Sequence, residues 1–479
     1  MWLVVLWLLF VLNGDVNSWV EKEFQTIDFG SKRLEKRFLK VMSDLAQEPE
    51  KSIWLASGSR TNAKAAYRMI ANKELTKESI LSAHRDATNT RNTTIHNNNT
   101  DGKQSNNNGN VLLAVQDTMA ANYDTHKKMT GLGFNCDKSL GINVHSCLLI
   151  TPGGVTMGLV DQSTNTRETN SDPRSPHEKQ QRKIQDKESG RWLQTMQTAQ
   201  QNAPKNTKLI HIADREGDIY EWYNLAISTH QSFIIRAKHD RLTPQGTHIW
   251  EEVVRSKPRG QIKLLVAKNS KSQTEERETI LTLRYITTKI QRPQNRTESE
   301  LPSELTINLV NVAEEDPSDG VEPIEWMLTT NLELSCCEDA LVVVDYYRQR
   351  WKIERFHYVL KSGCKIEELQ QHSVERLELM VLLYSLISVH VMMLTYLSRL
   401  YPELSCEILF SEGEWKTLYR VAKRTSVAPD RPFSMADAIG FVAALGGFVG
   451  APSDGPPGLK VVWFGLSKFF ALYAFREFI

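Results

Sequence analysis

The stretch from Lys208 to Arg241 restricts the possible folds more than any other. "KLIHIADREGDIYEWYNLA" begins as an apolar run of strand length, meets an acidic turn and continues as a helix, after which "SFIIRAKHDR" reads as a further strand. Upstream, "VLLAVQDTM" (111–119) reads as a buried strand, and "SCLLITPGGVTMGLVDQ" (146–162) as two strands joined through Pro-Gly-Gly as a hairpin. Strands followed by helices in this order, behind a leading antiparallel hairpin, predict a mixed α/β sheet rather than a purely parallel one.

A chain of 479 residues should hold two or three domains around this sheet. Residues 19–87 predict a charged helical domain, with Leu34, Phe38, Val41 and Leu45 at helical spacing among Lys32, Arg33, Lys36 and Arg37. Such a segment either binds DNA or forms a solvated bundle. Residues 88–110 are Asn-rich and low in complexity, which predicts a flexible linker. Between about 242 and 330, "QIKLLVA", "TILTLRYITT" and "LTINLVNVA" predict a β-rich insertion that interrupts the sheet domain (111–371) before its final helix. From 372 to 479 the chain is helical. Its Leu379–Leu397 run is long enough to raise a membrane span, but His390 and the flanking pattern favour a buried helix or subunit interface.

The formal net charge is only +1, so a nucleic-acid partner must be met by local basic patches. Six cysteines without a CxxC pair or zinc-type spacing predict reduced cytosolic thiols. Residues 1–18 are apolar and of signal-peptide length but lack a basic n-region. A secretory leader, a tolerated decoration and translated upstream sequence all compete as explanations, and the last is preferred because nothing downstream looks extracellular. Sequons at Asn92, Asn98 and Asn295 are of the kind expected by chance in loops rich in Asn and Thr.

The final helix of the sheet domain, "DYYRQRWKIERFHYVLKSG", carries the densest chemistry. At about 100° per residue, Tyr347, Arg350, Glu354 and Lys361 would form one polar stripe, leaving Ile353, Phe356, Val359 and Leu360 to be buried. Arg350 and Glu354 could be an ordinary i,i+4 ion pair on a solvated face. Two further carboxylates, Asp117 in or after the first strand and Asp214 at the end of "LIHIA", could converge with Glu354 at one end of a sheet, although each alone reads as a turn or cap residue. Such oxygen ligands suit Mg²⁺, and the neighbouring cations suit phosphates.

These residues resemble the DDE transposases of bacterial cut-and-paste insertion sequences, in the IS-four, Tn-five-like group. Tyr347, Arg350, Glu354 and Lys361 match its Tyr-x2-Arg-x3-Glu-x6-Lys signature, "DREGDIYE" its second-aspartate motif and "AVQDTM" its first. The similarity extends through "GSKRLEKRF", "AAYRMIAN", "GINVHSCLLI", "FIIRAKHDR", "IEWMLTT" and "LGGF". It implies an RNase H-like catalytic domain with the β insertion, between helical N-terminal and C-terminal domains. Asp117, Asp214 and Glu354 would then be the catalytic, metal-binding triad, holding two Mg²⁺ ions per site with Mn²⁺ able to substitute. Tyr347, Arg350 and Lys361 would grip phosphates. Trp326 would stack on a flipped base, unless it is a core tryptophan of its strand, and Arg236, Lys238, Arg37, Tyr67 and Arg68 would contact DNA.

The implied activity is nicking at transposon ends, hairpin formation and resolution, and strand transfer. The implied partners are double-stranded DNA, as terminal repeats and target, and a second copy of the chain joined through the C-terminal helices. No membrane partner is expected, and the location is cytoplasmic, at the nucleoid. Tyr358 departs from the pattern, standing where the Tn-five type has an additional lysine. A decayed or domesticated end-binding protein, a hydrolytic nuclease and a secreted protein are the rival readings.

Overall fold

The computed structural model describes residues 16–48, 51–99, 110–167, 175, 178, 182–266, 276–296, 300–317, 322–408, 410–451 and 455–474. The expectations for the leader up to residue 15 and for the Asn-rich positions 100–109 lie outside the described residues.

Ten strands join in one mixed sheet among the described residues: β1 (Asn110–Asn122), β2 (Gly133–Phe134), β3 (Leu140–Ile150), β4 (Thr156–Asn165), β5 (Thr207–Ala213), β6 (Ser232–Arg236), β7 (Gly260–Val266), β8 (Arg277–Gln291), β9 (Glu304–Ala313) and β10 (Glu325–Thr330). β3 and β4 form the expected antiparallel hairpin. Its turn holds Gly154 at φ +96°, a conformation that residues with a Cβ rarely adopt. β3 pairs antiparallel with β1, while β1, β5 and β6 run parallel.

Among the described residues, five helices precede the sheet: α1 (Val16–Glu23), α2 (Lys32–Gln47), α3 (Ile53–Ala56), α4 (Arg60–Ile70) and α5 (Lys77–Asn99). Between β4 and β5 lies α6 (Gly190–Gln201), between β5 and β6 α7 (Tyr220–Ser228), and before β7 α8 (Ile249–Arg255). After β10 come α9 (Cys337–Arg348), α10 (Trp351–Tyr358), α11 (Val374–Leu400), α12 (Glu412–Lys423), α13 (Met435–Leu445) and α14 (Leu459–Ala474). The fold class is the expected one: a mixed sheet with helical N- and C-terminal regions.

Successive strand residues face opposite sides of the sheet. On one face, Leu113, Val115, Ile210 and Ile212 pack in a core with Ile353 and Phe356 of α10 and Leu382 and Leu386 of α11. On the other, Ala213, Phe233 and Ile235 pack against Trp192 and Met196 of α6 and Trp222 and Tyr223 of α7. Burial on both faces explains why these strands read as continuous apolar runs.

The β insertion is not a separate layer. β10, inside the 242–330 span, pairs antiparallel with β6, and β9, β8 and β7 follow outward in the same sheet. α11 is long and apolar enough to cross a membrane by composition, yet 89% of its most apolar window is buried in the protein. Its Ser385 hydroxyl receives a hydrogen bond from Gln162 Nε2 at 2.8 Å. All six cysteines are free thiols.

The linker expectation needs correction. α5 continues through Thr88 to Asn99 rather than giving way to a loop. Several of its polar residues bond α1 and the sheet. Arg91 donates to both oxygens of Glu23 on α1, at 2.5 and 3.1 Å, and to the Met157 carbonyl of β4 at 3.0 Å. Asn92, a sequon residue, is 2% exposed and donates to Thr207 Oγ1. His84 Nε2 accepts from the Leu159 N–H at 2.8 Å, which leaves its Nδ1–H to donate to Glu23 at 2.5 Å. Burial pushes the Glu23 carboxyl up, but Arg91 and His84 more than offset this and hold it well below the usual range. A boundary after residue 18 also falls inside α1.

At the other end, α13 and α14 cross in near backbone contact. A Cβ at Gly465 would lie 1.8 Å from the Val442 carbonyl oxygen, and one at Gly446 2.0 Å from that of Val461.

Two stability predictions follow from this packing. Glu23→Gln leaves Arg91 buried without its counter-charge and should cost about 3–5 kcal/mol in chemical denaturation. Gly465→Ala should cost about 1–3 kcal/mol by forcing the two helices apart, a loss visible in the same measurement.

Candidate active site

Strand register brings the two aspartates together. Val115 of β1 is paired with Ile212 of β5 in a parallel ladder. Two residues further on, Asp117 and Asp214 emerge side by side on the face that α10 covers. Asp214 follows the last residue of β5 with extended backbone (φ −80°, ψ −163°), and its Oδ1 accepts from the Glu216 N–H at 2.8 Å, capping a tight turn. That is the turn-capping role an Asp after a strand commonly fills, and it fixes the carboxylate at the edge of the sheet.

Glu354 arrives from the opposite direction on α10, which packs over β1. The uninterrupted helix expected here is broken in two places. Gln349 and Arg350 form a tight turn between α9 and α10, with the Arg350 N–H bonded to the Tyr347 carbonyl at 2.9 Å. Val359–Gly363 is then a π turn, closed by the Cys364 N–H on the Val359 carbonyl. Tyr347, Arg350 and Glu354 stay in contact across the first interruption, while Lys361 lies in the π turn beyond the second. Ile353, Phe356, Val359 and Leu360 are buried as expected.

Arg350 occupies the centre. Its Nη2 donates to Glu354 Oε1 at 2.6 Å, its Nη1 lies 3.9 Å from Asp117 Oδ2, and the residue is only 8% exposed. The expected i,i+4 pair is thus present, but it is mostly buried and shared with a second carboxylate. The Arg350 guanidinium also lies over the Trp351 ring at 5.3 Å and the Tyr347 ring at 5.9 Å. Tyr347 is buried and meets Trp326 of β10 edge to face, with centroids 5.8 Å apart. Trp326 is half-buried, so the core and stacking readings both describe part of its surroundings.

Asp117 carries the strongest electrostatic signature. Burial, then the Asp214 charge, push its carboxyl up to about 7, with Glu354 adding to the rise, while the Thr118 N–H and Arg350 oppose it. Three carboxyl groups converge with one partly engaged guanidinium between them, and a bound cation would favour the ionised form of Asp117. The donor set is all oxygen and fits a hard divalent ion. No three His, Cys, Asp or Glu side chains among the described residues close into a ligand cluster, and Glu354 is turned onto Arg350.

Arg236, at the end of β6, belongs to this neighbourhood. Burial lowers its pKa, and Tyr347, Arg215, Arg350 and Asp214 all act on it. Its Nη2 donates to the Glu325 carbonyl. Lys238 is exposed just beyond. Lys361 lies in the π turn and pairs with Glu367 at 3.3 Å, and Glu367 also accepts from the Asn122 N–H at the far end of β1. Arg37, Tyr67 and Arg68 sit on α2 and α4, where Tyr67 shares a cleft with Lys51, Trp54 and Lys365. The structure thus gathers Asp117, Asp214, Glu354, Arg350, Tyr347, Trp326 and Arg236, and leaves the remaining candidates outside that cluster.

Sequence reasoning missed two contributors. Arg191 of α6 donates from Nε to Thr118 Oγ1 at 3.1 Å and pairs with Glu216 at 3.4 Å, tying β1 to the turn after β5. Nothing in "ESGRW" marks it. Asp218, four residues after Asp214, is 5% exposed and fully hydrogen-bonded. Its signal was its place in the quoted acidic motif.

Three family models match the chain in succession: Transposase DNA-binding over residues 16–75, Transposase DDE domain over 164–389 and Transposase Tn5 dimerisation domain over 386–475. Among solved structures, the chain is similar to a cryo-EM structure of the piggyBac transposase synaptic complex with hairpin DNA. The identity is 8% and the TM-score 0.33, over 85% of this chain and 77% of that one.

The raised Asp117 pKa has a defined consequence for the metal-free protein. The folded carboxyl binds its proton more tightly than the unfolded one (ordinary value 3.8), so stability falls as pH rises from about 4 to about 7 and stays reduced above that. Asp117→Asn should therefore be more stable than the parent near pH 8, by up to about 4 kcal/mol. The difference should vanish near pH 4, as read by thermal denaturation across pH.

Proposed function

This chain belongs to the Tn5-like DDE transposases, and on that premise we propose that it moves a DNA element by nicking, hairpin formation, hairpin opening and strand transfer. The family carries divalent-metal dependence, DNA binding and dimerisation with it. The observation that supports this reading best is the convergence of Asp117 and Asp214 on adjacent parallel strands, with Glu354 joined to Asp117 through Arg350.

Asp117, Asp214 and Glu354 would hold two Mg²⁺ ions, with Mn²⁺ able to substitute. When bound, the ions neutralise charge on the attacking and leaving oxygens of an in-line phosphoryl displacement. Each step exchanges one P–O bond for another. Water cleaves one strand at the element end and frees a 3′-hydroxyl. That hydroxyl attacks the opposite strand, closing a hairpin and releasing the flanking DNA. A second water opens the hairpin, and the recovered 3′-hydroxyl attacks target DNA.

The chain's own residues orient these reactions. Arg350, released from Glu354, would grip the phosphate beside the scissile bond, and the buried Tyr347 would fix the guanidinium plane. Trp326 presents a half-buried ring on which an extruded base would stack, an interaction worth about 1–3 kcal/mol. Arg236, Lys238 and Lys361 would follow the backbone, and Arg37, Tyr67 and Arg68 the terminal repeat. The C-terminal helices would join two copies on paired ends, and the working location would be the cytoplasm, on the nucleoid.

Asp117→Ala or Glu354→Ala should lower Mg²⁺-dependent strand cleavage by at least about 10³-fold while leaving duplex binding within about threefold. Cleavage assays beside gel-shift binding read both. Normal cleavage by either variant sinks the assignment. A parent protein that binds DNA but never nicks it establishes the decayed, end-binding alternative.

A further inference from the structure

The acidic motif after β5 contains a second aspartate, Asp218, to which the chemistry above gives no role. Its carboxylate is the most heavily engaged near the site. Oδ2 accepts from the backbone N–H groups of Lys238 and His239, at 2.7 and 2.8 Å. Oδ1 accepts from the Tyr223 hydroxyl at 2.8 Å and from Arg241 Nη2 at 2.5 Å, and Arg241 also donates to the Asp218 carbonyl. Burial pushes this carboxyl up, but Arg241 and the two backbone N–H groups more than offset it and leave it ionised below its ordinary range.

These bonds tie two separate pieces of chain together. One is the turn that carries Asp214, four residues earlier. The other is the segment leaving β6, whose exposed Lys238 and His239 stand beside it. Together they wall an open cleft of about 680 Å³, lined also by Arg215 and by Arg292 from the β8–β9 connection. Without the clamp, the Lys238 and His239 N–H groups would lose their acceptor and Arg241 its carboxylate, so Lys238 would be held by its neighbours on either side and not directly against the turn.

We propose that Asp218 is a positioning residue: by clamping residues 238–241 onto the catalytic turn, it sets Lys238 against the cleft as a phosphodiester-binding wall continuous with the active site. This rests on the reading of Lys238 as a DNA contact, but not on the identity of the metal ligands. A carboxylate is required because two backbone donors and a guanidinium converge on it. An amide could still accept from the N–H pair, but its NH₂ would face Arg241.

The test uses the full-length protein, a mixed-sequence DNA duplex as probe, and binding measured by fluorescence anisotropy across salt concentration. Asp218→Asn should weaken binding about 5–10-fold and reduce the slope of log K against log salt by about 1, the signature of a lost phosphate contact. Its melting transition should remain cooperative. Lys238→Ala should do the same, and the double variant should be no worse than Lys238→Ala alone, because Asp218 acts through Lys238.

Unchanged affinity and slope in Asp218→Asn overturn the proposal. So do additive losses in the double variant, which would mean a general structural effect. Should Asp218→Asn fail to fold, Arg241→Gln, which removes the guanidinium but leaves the backbone clamp, replaces it under the same criteria. Failure of the triad assignment would appear separately, as cleavage surviving Asp117→Ala.

Discussion

Two aspartates side by side on adjacent parallel strands repel one another, and the architecture around them is arranged to bear that repulsion. The pairing of Val115 with Ile212 leaves Asp117 and Asp214 no other relative position. Burial and the Asp214 charge raise Asp117 to about 7, so the bare site sits at the edge of protonation at neutral pH. Arg350 partly balances the charge by bonding Glu354 and approaching Asp117. The same negative surplus suits the cluster to divalent cations, whereas a phosphate, itself an anion, would be drawn to the Arg350 guanidinium.

The helix that carries Glu354 must serve two surfaces. Its apolar residues bury against β1 and α11, which demands a regular helix, while Arg350 must reach back toward Asp117. The tight turn at 349–350 and the π turn at 359–363 reconcile these demands, and π turns inside helices recur at functional sites. The buried Tyr347 lies under the arginine and meets the half-buried Trp326 edge to face, which joins the insertion, through β10, to the Arg350 cluster. The insertion is therefore an extension of the catalytic sheet and not an appendage to it.

At its other edge the sheet is held by the N-terminal helices. α5 sends His84, Arg85 and Arg91 onto the backbone of β4, and Arg91 and His84 both meet Glu23 of α1. Buried ionic groups of this kind are costly to break one at a time. They tie α1, the first helix of the stretch that matches the DNA-binding model, through α5 to the strand hairpin.

The strands, the hairpin, the helix after "DREGD" and the buried α11 were legible in the sequence, because apolar runs and turn residues act locally. Asp117, Asp214 and Glu354 were legible as residue types and spacing, helped by the resemblance that ordered motifs supplied. Other features were not. Residues 88–99 read as a linker because the partners that hold Arg91 and Asn92 lie on α1, β4 and β5, distant in sequence. The helix read as continuous because neither the turn at 349–350 nor the π turn at 359–363 has a Pro or a Gly at its start to mark it in the sequence. Arg191 and Asp218 read as ordinary charges because their partners lie tens of residues away. The sequence by itself thus determined which segments are strands and helices and which carboxylates are available. Only the tertiary structure decided which charges meet, since a hydrogen bond or ion pair between residues a hundred or more positions apart leaves no mark on local composition or periodicity.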